Sequence, residues 1–162
     1  MGADNQQERL NAEWITGFVD GEGCFYVGIN RVEKARLGWQ VLPEFRVVQH
    51  KRDEQILERM CSYFGFGSVE VNHGDRKEFR VRGLDNLNKL VEFFTEHPLH
   101  TKKRMDFKLF SQVIDKINRK EHLTKDGMKE IAEIASRMNM KVIPRFLESS
   151  ETIRRGRETA KI

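Results

Sequence analysis

Asp20 and Glu22 stand two residues apart in the stretch "WITGFVDGEGCF", residues 14–25, with Gly17, Gly21 and Gly23 around them. Before them Leu10, Trp14, Gly17, Phe18 and Gly21 recur at three- and four-residue steps, which predicts a helix over 8–20. From Cys24 the period changes to two, which predicts a strand. The two acids therefore fall at the joint between helix and strand. A carboxylate there faces the negative end of the helix macrodipole, at a cost of up to about 1 kcal/mol. Two of them are better explained as ligands for a cation than as a solvated helix end. Carboxylate and carbonyl oxygens suit a hard divalent ion such as Mg2+, and glycines at 21 and 23 expose carbonyls and leave room for a bulky ligand. Gly17 and Gly21 share a helix face, a spacing that lets a second helix backbone pack closely.

The elements that must carry this joint follow from the periodicity. Phe25, Val27 and Ile29 alternate with Tyr26, Gly28 and Asn30. After the basic turn "RVEKARLG", the strand "WQVLPEFRVVQ" sends Val41, Phe45 and Val47 to the core and Gln40, Glu44 and Arg46 away from it. "RDEQILERMCSYFG" reads as an amphipathic helix. Val69 and Val71 alternate with Ser68, Glu70 and Asn72. Beyond the turn "HGDRK", Phe79 and Val81 alternate with Glu78, Arg80 and Arg82. A helix from about Asp85 to Glu96 ends at Pro98. A longer one from about Lys102 to Asn118 carries Met105, Leu109, Val113 and Ile117, and Thr124 is the N-cap expected for a last helix. The order α-β-β-α-β-β-α, with helices appended and no Pro- or Gly-rich linker, predicts one α+β domain over 1–162 with a four-stranded antiparallel sheet. The tail from about 148 to 162 is basic and polar.

Each strand thus has an apolar face and a polar face. The polar residues suit a solvated surface. Their types also suit base edges: Arg for guanine, Asn and Gln for adenine, Glu for cytosine. A twisted β-ribbon fits a major groove.

Composition narrows the class. No segment approaches the roughly 20 apolar residues of a membrane span, and "MGADNQQERL" has no apolar core of a secretory signal. Cys24 and Cys61 are isolated, which points to an intracellular, reduced setting without structural zinc. Residues 1–23 hold Arg9 against Asp4, Glu8, Glu13, Asp20 and Glu22, a balance of −4; the whole chain is +4, so the remainder carries +8. A basic body suits a polyanion partner.

"ITGFVDGEG" resembles the signature of the LAGLIDADG homing endonucleases, with Gly17, Phe18, Val19, Asp20, Gly21 and Gly23 in place and Glu22 at the second acidic position. "FRVVQHKRDEQILERM", "FGFGSVEV", "LHTKKRMDFKLF" and "HLTKDGMKEI" extend the resemblance over about 130 residues. It implies the LAGLIDADG endonuclease fold and, with one motif, a homodimer. The helix over 8–21 would pair with its two-fold mate through Trp14, Gly17, Phe18 and Gly21. The resemblance implies that Glu22 and the Gly21 carbonyl hold Mg2+, that Mn2+ substitutes, and that Ca2+ binds without supporting cleavage. Gln49 would position water, and Lys102, by spacing, would support the phosphate or the water. Asp20 would be structural or would support the metal site from outside its ligands.

Tyr26, Gly28, Asn30, Gln40, Glu44, Arg46, Ser68, Glu70, Asn72, Glu78, Arg80 and Arg82 would face double-stranded DNA, and Lys141 and Arg145 would bind phosphate. The implied reaction is hydrolysis of both strands of a long, near-palindromic site, leaving short 3′ overhangs. An RNA-binding intron maturase and a non-cleaving DNA-binding regulator are the alternatives; the retained Glu22, Gln49 and Lys102 favour cleavage. Genes of this kind lie in chloroplast or mitochondrial introns, or in prokaryotic ones.

Overall fold

The computed structural model describes residues 9–139. Asn11 opens the first helix: its side-chain oxygen accepts from the Trp14 N–H at 2.7 Å, satisfying a donor that the first turn leaves open. Helix α1 runs Ala12–Glu22, starting and ending later than the expected 8–20. Gly21 lies inside it. The chain leaves the helix at Gly23, where an added Cβ would lie 2.6 Å from Val19 Cγ1 and 2.9 Å from the Val19 carbonyl oxygen. Only glycine fits there, and it lets α1 pass straight into strand β1, Gly23–Arg31. Glu22 is therefore the last helical residue.

Strand β2, Trp39–His50, returns antiparallel to β1, pairing Gly23 with Val47 and Arg31 with Trp39. A short 3-10 turn leads into α2, Glu54–Phe64, which ends at Gly65 with φ +74, a left-handed conformation suited to glycine. Strands β3, Ser68–His73, and β4, Arg76–Val81, form a hairpin around Gly74 and Asp75. The sheet order is β1-β2-β4-β3, all antiparallel. Helices α3 (Leu84–Glu96), α4 (Lys103–Asn118) and α5 (Lys125–Ser136) follow. Thr124 caps α5 as expected, its hydroxyl accepting from the Gly127 N–H at 3.0 Å.

The helices cover one sheet face. Phe25, Phe45 and Phe79 are fully buried among Leu57 and Met60 of α2, Leu87, Leu90 and Phe94 of α3, and Phe110 of α4. The Phe25 ring lies 5.1–5.6 Å from those of Phe45, Phe94, Phe107 and Phe110. Each such burial stabilises by roughly 1.5–3 kcal/mol, so this aromatic cluster fixes how α4 sits on β1. Two expected core positions differ. Met105 is 59% exposed, because the buried stripe of α4 runs through Phe107, Phe110, Val113 and Ile114. Val71, near the hairpin tip of the edge strand, is 63% exposed.

Candidate active site

Helix α1 has two different faces. Ile15, Thr16 and Val19 are buried. Trp14, Gly17 and Gly21 are exposed, and Phe18 is half-buried with its ring stacked on Trp14 at 4.8 Å. A Cβ added at Gly17 or Gly21 would meet nothing within 4 Å. Glycine inside a helix costs about 1 kcal/mol relative to alanine, and nothing among the described residues packs closely enough to require it. The bare face matches what a second helix needs.

The end of α1 is tied to the start of α4. The Asp20 carboxylate accepts from the His100 N–H at 3.0 Å, the Thr101 N–H at 3.0 Å and the Thr101 hydroxyl at 2.8 Å. Burial pushes the Asp20 pKa up, but these hydrogen bonds outweigh it and hold the carboxyl below its ordinary value. Lys103 Nζ donates to the carbonyls of Val19 at 3.1 Å and Asp20 at 3.2 Å. A cation on those carbonyls offsets the negative end of the helix. Asp20 thus turns inward, onto the residues that precede α4.

Glu22 is exposed and forms no ion pair among the described residues. Gly21 beside it is open to solvent. Gln49 is half-buried, two residues beyond Val47, which pairs with Gly23. Glu22 and Gln49 therefore lie at the same end of the sheet. Lys102 is exposed at the N-cap of α4. The ammonium that reaches α1 is that of Lys103, one residue on. The hydrogen bonds of His100 and Thr101 were not anticipated either; the run "HTKKR" before a helix was the signal available. Among the described residues no three His, Cys, Asp or Glu side chains gather into a metal-binding group. The exposed Glu22 carboxylate and Gly21 carbonyl are oxygen donors that fit a hard cation, with its remaining ligands supplied from outside this set.

The sheet face away from the helices carries the expected polar residues. Register places Tyr26 opposite Glu44, Asn30 opposite Gln40, Arg46 opposite Arg80, and Ser68 opposite Arg80 on its other side. Tyr26, Asn30, Gln40, Ser68, Glu70, Asn72 and Arg82 are exposed. Gly28 is buried, and an added Cβ would lie 3.2 Å from the Tyr26 ring. Glu44 and Glu78 correct the expectation of a uniformly solvated face. They lie on it but are 6% and 0% exposed, beneath the arginines. Glu44 pairs with Arg82 Nε at 2.7 Å and Arg46 Nε at 3.2 Å; the Arg46 N–H points off-line, making that contact an ion pair rather than a hydrogen bond. Arg80 pairs with Glu78 and with Glu70, the latter at 3.1 Å, and Asn72 donates to Glu78 at 2.7 Å. Leu42, 39% exposed on the same face, was also not anticipated. Lys141, Arg145 and the tail over 148–162 lie outside the described residues.

A family profile described as LAGLIDADG endonuclease matches residues 15–114, from α1 into α4. The chain belongs to the LAGLIDADG endonuclease family. Two solved homing-endonuclease or meganuclease structures share its fold. The homing endonuclease I-TnaI is 51% identical with a TM-score of 0.84, over 89% of this chain and 98% of its own. The LAGLIDADG meganuclease I-CpaMI, solved bound to uncleaved DNA, is 31% identical with a TM-score of 0.82, over 86% of this chain and 48% of its own. An uncharacterized 50.9 kDa protein in ND4 intron 1 of Podospora anserina is 40% identical over 119 residues. That match takes in 72% of this chain and 26% of the Podospora protein. The chain thus spans about a quarter of the length of the Podospora protein and about half of I-CpaMI. None of its described helices is long and apolar enough to cross a membrane.

Proposed function

We propose that this LAGLIDADG chain is one half of a site-specific homing endonuclease that acts as a homodimer on double-stranded DNA. The observation that carries the proposal is the bare face of α1, ending in an outward Glu22. Trp14, Gly17, Phe18 and Gly21 pair with the same residues of a second copy in an isologous contact. That pairing brings two Glu22 carboxylates together at the two-fold axis. The match to about half of the DNA-bound I-CpaMI chain supports it, since two copies supply the same complement of elements.

Glu22 and the Gly21 carbonyl would hold Mg2+, with Mn2+ as a substitute and Ca2+ as a non-cleaving replacement. When bound, the metal polarises the scissile phosphate, helps ionise the attacking water and stabilises the leaving 3′ oxygen. Like carboxylates held close repel, so an empty pair opposes dimer closure. Gln49 orients water at the same end of the sheet. Lys103 keeps a positive charge beside the phosphate while it ties α1 to α4. The open sheet face lies in the major groove, and the two centres cut across the minor groove to leave short 3′ overhangs. Lys141 and Arg145 would add phosphate contacts. The intron-linked names of relatives favour an organelle intron as the source.

A randomised duplex library incubated with the protein and Mg2+ tests the proposal. Recovered ends should share one long, near-palindromic sequence with 3′ overhangs. Failure to cut any duplex with Mg2+ or Mn2+ would leave the maturase or regulator reading in its place.

A further inference from the structure

Three arginines lie on the open sheet face, and the acids beneath them use different nitrogens of each. Glu44 engages Arg82 and Arg46 through Nε, at 2.7 and 3.2 Å. Among the described residues no terminal nitrogen of either guanidinium hydrogen-bonds to Glu44, which is met through Nε. The two terminal nitrogens form the fork that reads guanine O6 and N7. Arg80 is held the other way: its Nη1 pairs with Glu70 at 3.1 Å and its Nη2 with Glu78. Both of its terminal nitrogens face acids, Nη2 in an ion pair that leaves Glu78 Oε1 without a hydrogen bond, and its Nε is buried without a hydrogen-bond partner. Arg46 is fixed a second time, with its guanidinium carbon 5.3 Å from the Tyr26 ring centroid.

The side chain of Glu44 is only 8% exposed, whereas that of Arg82 is 58% exposed. A carboxylate so covered cannot meet a base without displacing its arginines, and stripping it of its partners would leave a buried charge unpaired. We propose that Glu44 is a specificity-determining positioning residue: it aims Arg46 and Arg82 as guanine readers, while Glu70 and Glu78 hold Arg80 as a crossbar of the sheet. The inference rests on the DNA-reading function proposed above. It divides the arginines of one face into two classes by nitrogen, a division that residue type does not show. Glu44 also sets affinity against discrimination. Its charge repels phosphate, so removing it favours every duplex while releasing the forks from their aim.

The test is binding, without added divalent ion, to the selected target, to each single-base variant of it and to an unrelated duplex. Arg46→Ala and Arg82→Ala should each abolish a guanine preference, about tenfold or more per contact. Glu44→Gln should relax both of those preferences at once while holding or raising affinity for the unrelated duplex. Glu44→Asp, which keeps the charge on a shorter arm, should relax them less. Arg80→Ala should leave the base preferences in place. The proposal is overturned if Glu44→Gln leaves discrimination intact, or changes a base pair that neither arginine variant touches. It is overturned equally if Glu44→Gln and Glu44→Asp weaken all duplexes alike with a lowered melting temperature, the mark of a merely structural acid. A wild type with no preference among base pairs would instead remove the DNA-reading function itself.

Discussion

Asp20 and Thr101, 81 positions apart in the chain, are joined through a single carboxylate oxygen that accepts from the Thr101 N–H at 3.0 Å and from its hydroxyl at 2.8 Å. The contact fixes the direction in which α1 delivers its last residue. With Asp20 turned inward onto the start of α4, Glu22 is left to point out. The two acids of one short motif thus have separate work, one holding the helix and the other free for a ligand.

Asp20→Asn should therefore act on stability. The change removes the charge that three donors converge on, at a cost of about 1–3 kcal/mol. Thr101→Val removes one of those donors and should cost less, and the double variant should fall short of the sum because the two share one network. Thermal melts of the four proteins check this. Full stability in Asp20→Asn would show that the junction does not depend on the carboxylate.

Lys103 and Lys102 separate by role. Lys103 contacts the last turn of α1, whereas Lys102 stands exposed at the helix cap. Lys103→Ala should lower cleavage about 100-fold or more, the scale of a lost electrostatic group beside reacting phosphate, with a modest drop in melting temperature. Lys102→Ala should at most weaken binding in a salt-dependent way. Single-turnover rates on one target compare them; a larger loss for Lys102→Ala would return the basic position to it.

Gly17→Leu places a large side chain on the bare face of α1. Within the chain there is room for it, since nothing lies within 4 Å of a Cβ there. The melting temperature of the isolated subunit should hold while the dimer splits. Light scattering across a concentration series should show a dimer for the parent and a monomer for the variant. A parent that stays monomeric with and without DNA would remove the homodimer from the account.

Much of the fold is legible in the sequence because strands of period two and helices of period three to four leave distinct patterns. The alternation of Phe25, Val27 and Ile29 with Tyr26, Gly28 and Asn30 assigns faces directly. It assigns no depth: Glu44 and Glu78 are on the polar face as their parity requires, yet under arginines from the neighbouring strand, and cross-strand cover is not written in either strand alone. That Lys103 and not Lys102 reaches α1 has a similar cause. A helix turns 100° per residue, so adjacent basic residues point to different places, and spacing from a motif cannot choose between them. Helix α1 ends later than the expected 20 because Gly21 stays helical and it is Gly23, pressed on Val19, that ends the helix. Residue types at the joint suggest a cation site; the long-range contact of Asp20 with Thr101, which fixes the joint, has no local signature.

Glu22 carries the central claim, that the exposed acid at the end of α1 holds the metal used in cutting and does not grip DNA. Glu22→Gln keeps the size and removes the charge, so a hard cation loses its anionic ligand. The decisive measurement is cleavage and binding of one target duplex by the parent and by Glu22→Gln, in Mg2+ and in Ca2+. Cleavage by the variant in Mg2+ should fall by orders of magnitude, while its binding should be equal or tighter because two carboxylates no longer oppose the central phosphates. The parent in Ca2+ should likewise bind without cutting. Cleavage by Glu22→Gln at the parent rate would contradict the account, because the metal would then have to be held elsewhere.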